Sequence, residues 1–227
     1  DFKLYQDGVL LSDTCVSDEP LYGVYLRATG KPHPGAQEIM AQMQLEWRHV
    51  VADLCAPPPR PRPIWYQKHM AHHLLPTMGR DWLDGFDNVL LIRDPARVGA
   101  SYVQRHESVE PEDLGYAQQL EIAMRVEAST GVAPVVLEAE TLQRDPEGTL
   151  RRLCLHLNIE FEEAMLSWPP GPRSSDGVWA KHWYAGVEAS TGFQPPRGTD
   201  PVLAPAYATV VEQVQPQYRE LQRLVQV

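Results

Sequence analysis

The stretch Asn88–Tyr102, NVLLIRDPARVGASY, constrains the fold more than any other part of this chain. Its short apolar run predicts a buried strand that ends at Arg93. Asp94-Pro95 then predicts a helix start. An Asp side chain can accept from the free N–H groups of the first turn, and proline suits the first helical position because its missing N–H has no partner there. A strand running into a helix N-terminus, with a cation before it and the Ser101 hydroxyl along it, is physically an anion site. The plainer alternative is an ordinary strand–helix junction with a solvated Arg93.

The rest of the chain repeats the alternation. Ala36–Cys55 reads as one amphipathic helix, with Ile39, Met43, Trp47, Val50, Val51 and Leu54 at spacings of three and four. APPPRPRP, residues 56–63, ends it. Short strands are predicted at Ile64–Gln67 and Pro134–Leu137. Helices are predicted at Pro95–His106, Pro111–Thr130, Glu147–Leu157 and Ala206–Val227, the last with a bend near Pro216. Ser167–Gly177 and Gly192–Pro205 read as loops. Short apolar strands alternating with helices predict an α/β layered domain around a parallel sheet. At 227 residues, with no repeat and no linker, one domain over residues 1–227 is expected.

Composition narrows the partners. Lys+Arg 20 against Asp+Glu 30 gives a formal charge of −10, which argues against nucleic acid and other large polyanions. A local basic pocket for one small anion is compatible with it. Cys15, Cys55 and Cys154 are odd in number and widely spaced. They make neither a zinc pattern nor a disulfide framework. With no membrane-length apolar run and no signal peptide pattern, a cytoplasmic protein without membrane contact is the expectation.

Several segments, in order, resemble one family. HMAHHLLP at His69–Pro76 resembles the His-x-x-x-x-Leu-Leu-Pro segment of cytosolic sulfotransferases. VLLIRDPARVGASY resembles their strand–helix that holds the 3′-phosphate of the sulfate donor. VVLEAETLQRDPEGTLRRLCLHLNIEF, residues 135–161, resembles their later strand and following helix. The likeness is closer to a bacterial-type sulfotransferase-like family. It rests on DEPLY at Asp18–Tyr22, the KHM-x-HHL segment from Lys68, and the late loop GPRSSDGVWAKHWY, residues 171–184. The resemblance implies a P-loop-type three-layer domain with a central parallel sheet. It implies transfer of a sulfuryl group from the co-substrate 3′-phosphoadenosine 5′-phosphosulfate (PAPS) to a small hydroxyl-bearing acceptor, with no metal.

The resemblance also distributes roles. Arg93 and Ser101 match the family's donor-binding pair, and Arg173 lies in the loop expected to close on the nucleotide. By residue type alone, Trp179, Trp183 and Tyr184 read as packing residues, with stacking of one of them on the adenine ring as the alternative. His69 matches the catalytic histidine of the cytosolic enzymes, and Glu19 matches a glutamate base of some bacterial ones; both stand as base candidates. A zinc site from His69, His72 and His73 lacks a fourth ligand at the usual spacing.

One departure bears on activity. The family places a phosphate-binding loop and a helix after its first strand. Here Val9–Leu11 runs directly into SDTCVSDEP, which resembles the segment after that helix. Either the protein lacks the loop, or residues separate Leu11 from Ser12. Losing a central helix would expose a sheet face, which favours the second. A catalytically degenerate domain that binds a nucleotide or a partner is the alternative function. A small-molecule P-loop kinase ranks third, for want of a Gly-Lys-Ser/Thr loop.

Overall fold

The computed structural model describes residues 14–59, 63–103, 108–173, 175–196 and 203–227. The Leu11–Ser12 junction, the candidate strand Val9–Leu11 and Ser174 lie outside them. In chain order the regular elements are β1 (Thr14–Asp18), α1 (Tyr22–Thr29), α2 (Ala36–Gln42), α3 (Trp47–Leu54), β2 (Ile64–Lys68), β3 (Val89–Ile92), α4 (Pro95–Tyr102), α5 (Tyr116–Thr130), β4 (Val135–Glu138), α6 (Ala139–Arg144), α7 (Pro146–His156), α8 (Ala180–Trp183), α9 (Ala185–Glu188) and α10 (Pro205–Arg223). The class is mixed α/β with parallel strands, as the alternation predicts.

The chain forms two compact units. One holds the residues up to Trp82 together with Glu162–Phe193; the other holds Leu83–Phe161 with Gln194–Val227. Each contains one parallel strand pair among the described residues, β1 with β2 and β3 with β4. Parallel neighbours need a crossover, and helices supply it in both cases.

In the first unit the register aligns Thr14 with Ile64 and Asp18 with Lys68. The charged residues Asp18 and Lys68 therefore end neighbouring strands side by side. The ladder continues one residue further, where the Glu19 N–H donates to the Lys68 carbonyl at 2.9 Å. Beyond it the core gathers Tyr22, Tyr25, Leu26, Ile39, Trp179 and Tyr184.

In the second unit α10 packs on α4 and α5. A Cβ at Gly99 of α4 would lie 3.2 Å from a Val211 methyl of α10, so a residue without a side chain suits this approach. The chain end also joins the sheet: Val225 bridges Val136, and the Gln226 side chain accepts from the Val136 N–H at 2.9 Å.

Three expectations change in detail. The predicted helix over Ala36–Cys55 is two helices, because the Gln44 side-chain oxygen accepts from the Leu45 and Glu46 N–H groups and competes with the helical ladder. The predicted helix over Pro111–Thr130 is a 3-10 turn, Pro111–Leu114, followed by α5, since Gly115 between them takes φ 76, a left-handed conformation. α10 runs from Pro205 through the exposed Pro216 to Arg223.

Candidate active site

The most concentrated polar chemistry lies at the carboxyl ends of β1 and β2. This is the end of a parallel sheet where α/β proteins bind ligands. Glu19 is buried and holds φ 45, unusual for a residue with a side chain. Such backbone strain persists only where surrounding contacts enforce it. Here they do. The Glu19 N–H is tied to β2, its carbonyl accepts from Tyr22 N–H at 3.0 Å, and its Oε1 pairs with Lys68 Nζ.

Lys68 also lies 3.5 Å from Asp18 Oδ1, and all three side chains are about nine-tenths buried or more. Burial alone would lower the lysine's pKa. The Glu19 and Asp18 carboxylates outweigh it and hold the ammonium charged well above its usual range. Two carboxylates against one ammonium leave the cluster formally one negative charge in excess. Glu19 Oε2 makes no hydrogen bond with a described residue, so this oxygen can accept one from outside.

His69 follows Lys68 directly. Both of its ring nitrogens are buried and lack a hydrogen-bond partner among the described residues; the nearest ring is Trp82, at 5.6 Å. Burial, then the neighbouring Lys68 charge, pulls its pKa down to about 4. The neutral imidazole that results keeps a lone pair able to accept a proton. His73 is also buried and stacks on Tyr22 at 4.7 Å, with its pKa depressed by burial and then by His72.

The sign of the pH effect follows. In the unfolded chain these histidines take protons as pH falls through about 6.5, while in the fold they stay neutral to lower pH. Their contribution to stability is complete above that value. It is lost progressively as pH falls below that value, for His69 down to about 4, with a limiting slope of about 1.4 kcal/mol per pH unit for each histidine. Urea unfolding at pH 7.5 and 5.5 should show a loss in the wild type that His73→Phe diminishes. Equal losses in both proteins would contradict this account.

The second cluster lies in the other unit. Arg93 follows the last residue of β3, and its Nε donates to Glu140 Oε1 at 3.1 Å. Arg97 Nε lies 3.8 Å from the same oxygen. Two cations therefore flank one buried carboxylate. The Nη nitrogens of Arg93 make no hydrogen bond to a described residue, and its side chain is one-third exposed. Glu140 thus orients the guanidinium by one edge and leaves the other, a geometry suited to a phosphate. Asp94 itself caps α4, accepting from Ala96 N–H at 2.9 Å and Arg97 N–H at 3.3 Å. The helix terminus thus carries its own anion, and external anion affinity rests on the Arg93 side chain. Ser101 is exposed about two turns further along α4.

Arg173 lies in the first unit. Its guanidinium donates to the carbonyls of its own loop, Gly171 and Pro169, and its N–H donates to Asp176 Oδ2 at 2.9 Å. A nucleotide contact from Arg173 would compete with those carbonyls. The described residues contain no group of three or more His, Cys, Asp or Glu arranged to hold a metal ion. None of their helices is long and apolar enough to cross a membrane.

Sequence reasoning missed Asp18, Lys68 and Tyr184. A signal was present: Asp18-Glu19 and Lys68-His69 each end a short strand, and parallel pairing puts two such ends together.

The family model of the sulfotransferase domain matches residues 7–223, and the chain belongs to that family. Two Arabidopsis thaliana relatives are similar over most of it. Branched-chain-amino-acid aminotransferase-like protein 2 is 33% identical over 209 residues, 92% of this chain and 37% of that protein. Branched-chain-amino-acid aminotransferase-like protein 1 is 34% identical over 212 residues, with the same shares. The chain thus spans about 37% of the length of these curated relatives. Among solved structures, the Sulfotransferase Domain from the Curacin Biosynthetic Pathway aligns at 14% identity and a TM-score of 0.39, covering 86% of this chain and 77% of that one.

Proposed function

We propose that this domain transfers a sulfuryl group from PAPS to a small hydroxyl-bearing acceptor. The observation that carries the reading is the buried Asp18–Glu19–Lys68 cluster beside a neutral His69, at the sheet end where such chemistry is placed. The donor supplies an activated sulfur whose bond to the 5′-phosphate oxygen breaks as the acceptor oxygen attacks. The chain's own contribution is to remove the acceptor's proton, neutralise charge on the leaving side, and hold both ligands in place.

Glu19 Oε2 and the His69 ring nitrogens are the two proton acceptors that fit. Glu19 is fixed by its backbone and by Lys68, which favours it for a base that must stay in one geometry. Arg93 with Ser101 is assigned to the donor's 3′-phosphate, and Arg173 to the loop over the nucleotide. The aminotransferase-like names of the relatives are not carried over, because the family model that spans this chain is that of the sulfotransferase domain.

Calorimetry with adenosine 3′,5′-bisphosphate, on the chain with any residues between Leu11 and Ser12 included, tests the donor assignment. Arg93→Ala should weaken binding by about 1.5–3 kcal/mol, the value of a hydrogen bond to a charged group. Binding unchanged in that variant would remove Arg93 from the site. No binding at all, together with no release of the bisphosphate from PAPS with a panel of small alcohols and phenols, would leave the non-catalytic binding domain as the better description.

A further inference from the structure

Tyr184 follows α8 in the late loop and is 1% exposed. It has the aromatic body of a packing residue, but its hydroxyl is the most connected polar atom of the cluster. It lies 2.8 and 3.0 Å from the two Asp18 oxygens and 3.1 Å from Glu19 Oε1. Lys68 Nζ approaches it at 3.0 Å and the Trp179 indole N–H at 3.3 Å.

A phenol has one proton to donate and two lone pairs to accept with. Lys68 and Trp179 are donors only, so they take the lone pairs. The single proton then goes to one carboxylate at a time. Given to Asp18, it leaves Glu19 with the ammonium alone on Oε1. Given to Glu19, it adds a second donor to that charge and is withdrawn from Asp18. Burial, then Glu19, holds the phenol itself protonated throughout ordinary pH, with Lys68 opposing.

We propose that Tyr184 is a positioning residue that divides one hydrogen bond between Asp18 and Glu19 and so sets the proton affinity of this carboxylate pair. The proposal rests on the reading of Glu19 as the base. When Glu19 takes a proton from the acceptor oxygen, its charge vanishes and the phenolic proton turns to Asp18, which keeps the remaining carboxylate paired. No atom is gained or lost in that turn; only the hydroxyl rotates. Other groups face the pair from neighbouring elements and will contribute to its titration. Tyr22 of α1 lies near Glu19, Tyr66 of β2 near Asp18 and Lys68, and His69 and His73 near Lys68.

The test is the titration of Asp18 and Glu19, followed by carboxyl carbon NMR in the wild type and in Tyr184→Phe. Loss of one hydrogen bond to a charged carboxylate should raise the pair's apparent pKa by about one pH unit. 3-Fluorotyrosine at position 184 keeps the shape and donates a stronger hydrogen bond, so it should move the titration down. A residue that only packs would move neither. Opposite shifts in the two variants support the proposal. An unmoved titration, in either fluorotyrosine protein or folded Tyr184→Phe, overturns it. If the carboxylates shift and no acceptor is ever sulfated, the inference about Tyr184 stands and the base assignment to Glu19 falls. If the protein is active, the acidic limb of kcat/KM should move with the NMR titration, while affinity for adenosine 3′,5′-bisphosphate stays the same.

Discussion

Glu19→Gln should lower turnover by about 10²–10⁴-fold while leaving affinity for adenosine 3′,5′-bisphosphate nearly intact, because a general base acts mainly in the transition state. Glutamine keeps the size of the side chain and an acceptor oxygen for Lys68, so the fold should survive. It cannot hold the proton. His69→Ala separates the two candidates. If His69 only orients the acceptor, its loss should raise KM more than it lowers kcat. If His69 is the base, the two variants exchange their effects. Near-normal turnover in both, on an identified acceptor, would show that neither residue removes the proton.

The largest expected effect on stability belongs to Lys68. Its ammonium is the cation that pairs Asp18 and Glu19 at the buried end of the sheet. Lys68→Met keeps the stem and deletes the charge, leaving two carboxylates side by side out of water. Breaking a buried pair in this way costs about 3–5 kcal/mol, since the buried carboxylates lose the ammonium that pairs them. The exposed pair Arg151–Glu147 on α7 provides the contrast; Arg151 also lies over the Phe161 ring at 4.0 Å, and Arg151→Ala should cost no more than about 1.5 kcal/mol. Urea unfolding of the two variants at pH 7.5 should rank them in this order by a wide margin. Similar stabilities would mean that the Lys68 cluster is solvated and weak.

Much of the second unit was legible because its signals are local. The apolar run before Arg93 and the Asp94-Pro95 cap act within a few residues, and each forms where its chemistry places it. The misread positions are those where one residue changes the backbone against a periodic background. Gly115 ends a helical pattern that the surrounding apolar spacing continues, and Gln44 interrupts another through its own side chain.

The candidate site was legible only in part. Glu19 and His69 could be found through resemblance, residue by residue. Their partners could not, because Lys68 is 49 positions from Glu19 and Tyr184 is 165. Tyr184 reads in sequence as one aromatic among several. Its hydroxyl acquires a role only when packing brings it against two strand ends.

The sequence by itself determined the α/β class, the strand-to-helix junction at Arg93, the capping of α4, and the presence of the charged dipeptides Asp18-Glu19 and Lys68-His69. These follow from side-chain chemistry acting over one or two turns, or along one strand. Tertiary structure alone decided that the two dipeptides sit in register and that Glu140 claims one edge of Arg93. It also decided that burial leaves His69 neutral and that Tyr184 closes the cluster. The physical reason is that pairing and desolvation depend on which distant segments exclude water together, and no local pattern along the chain records that.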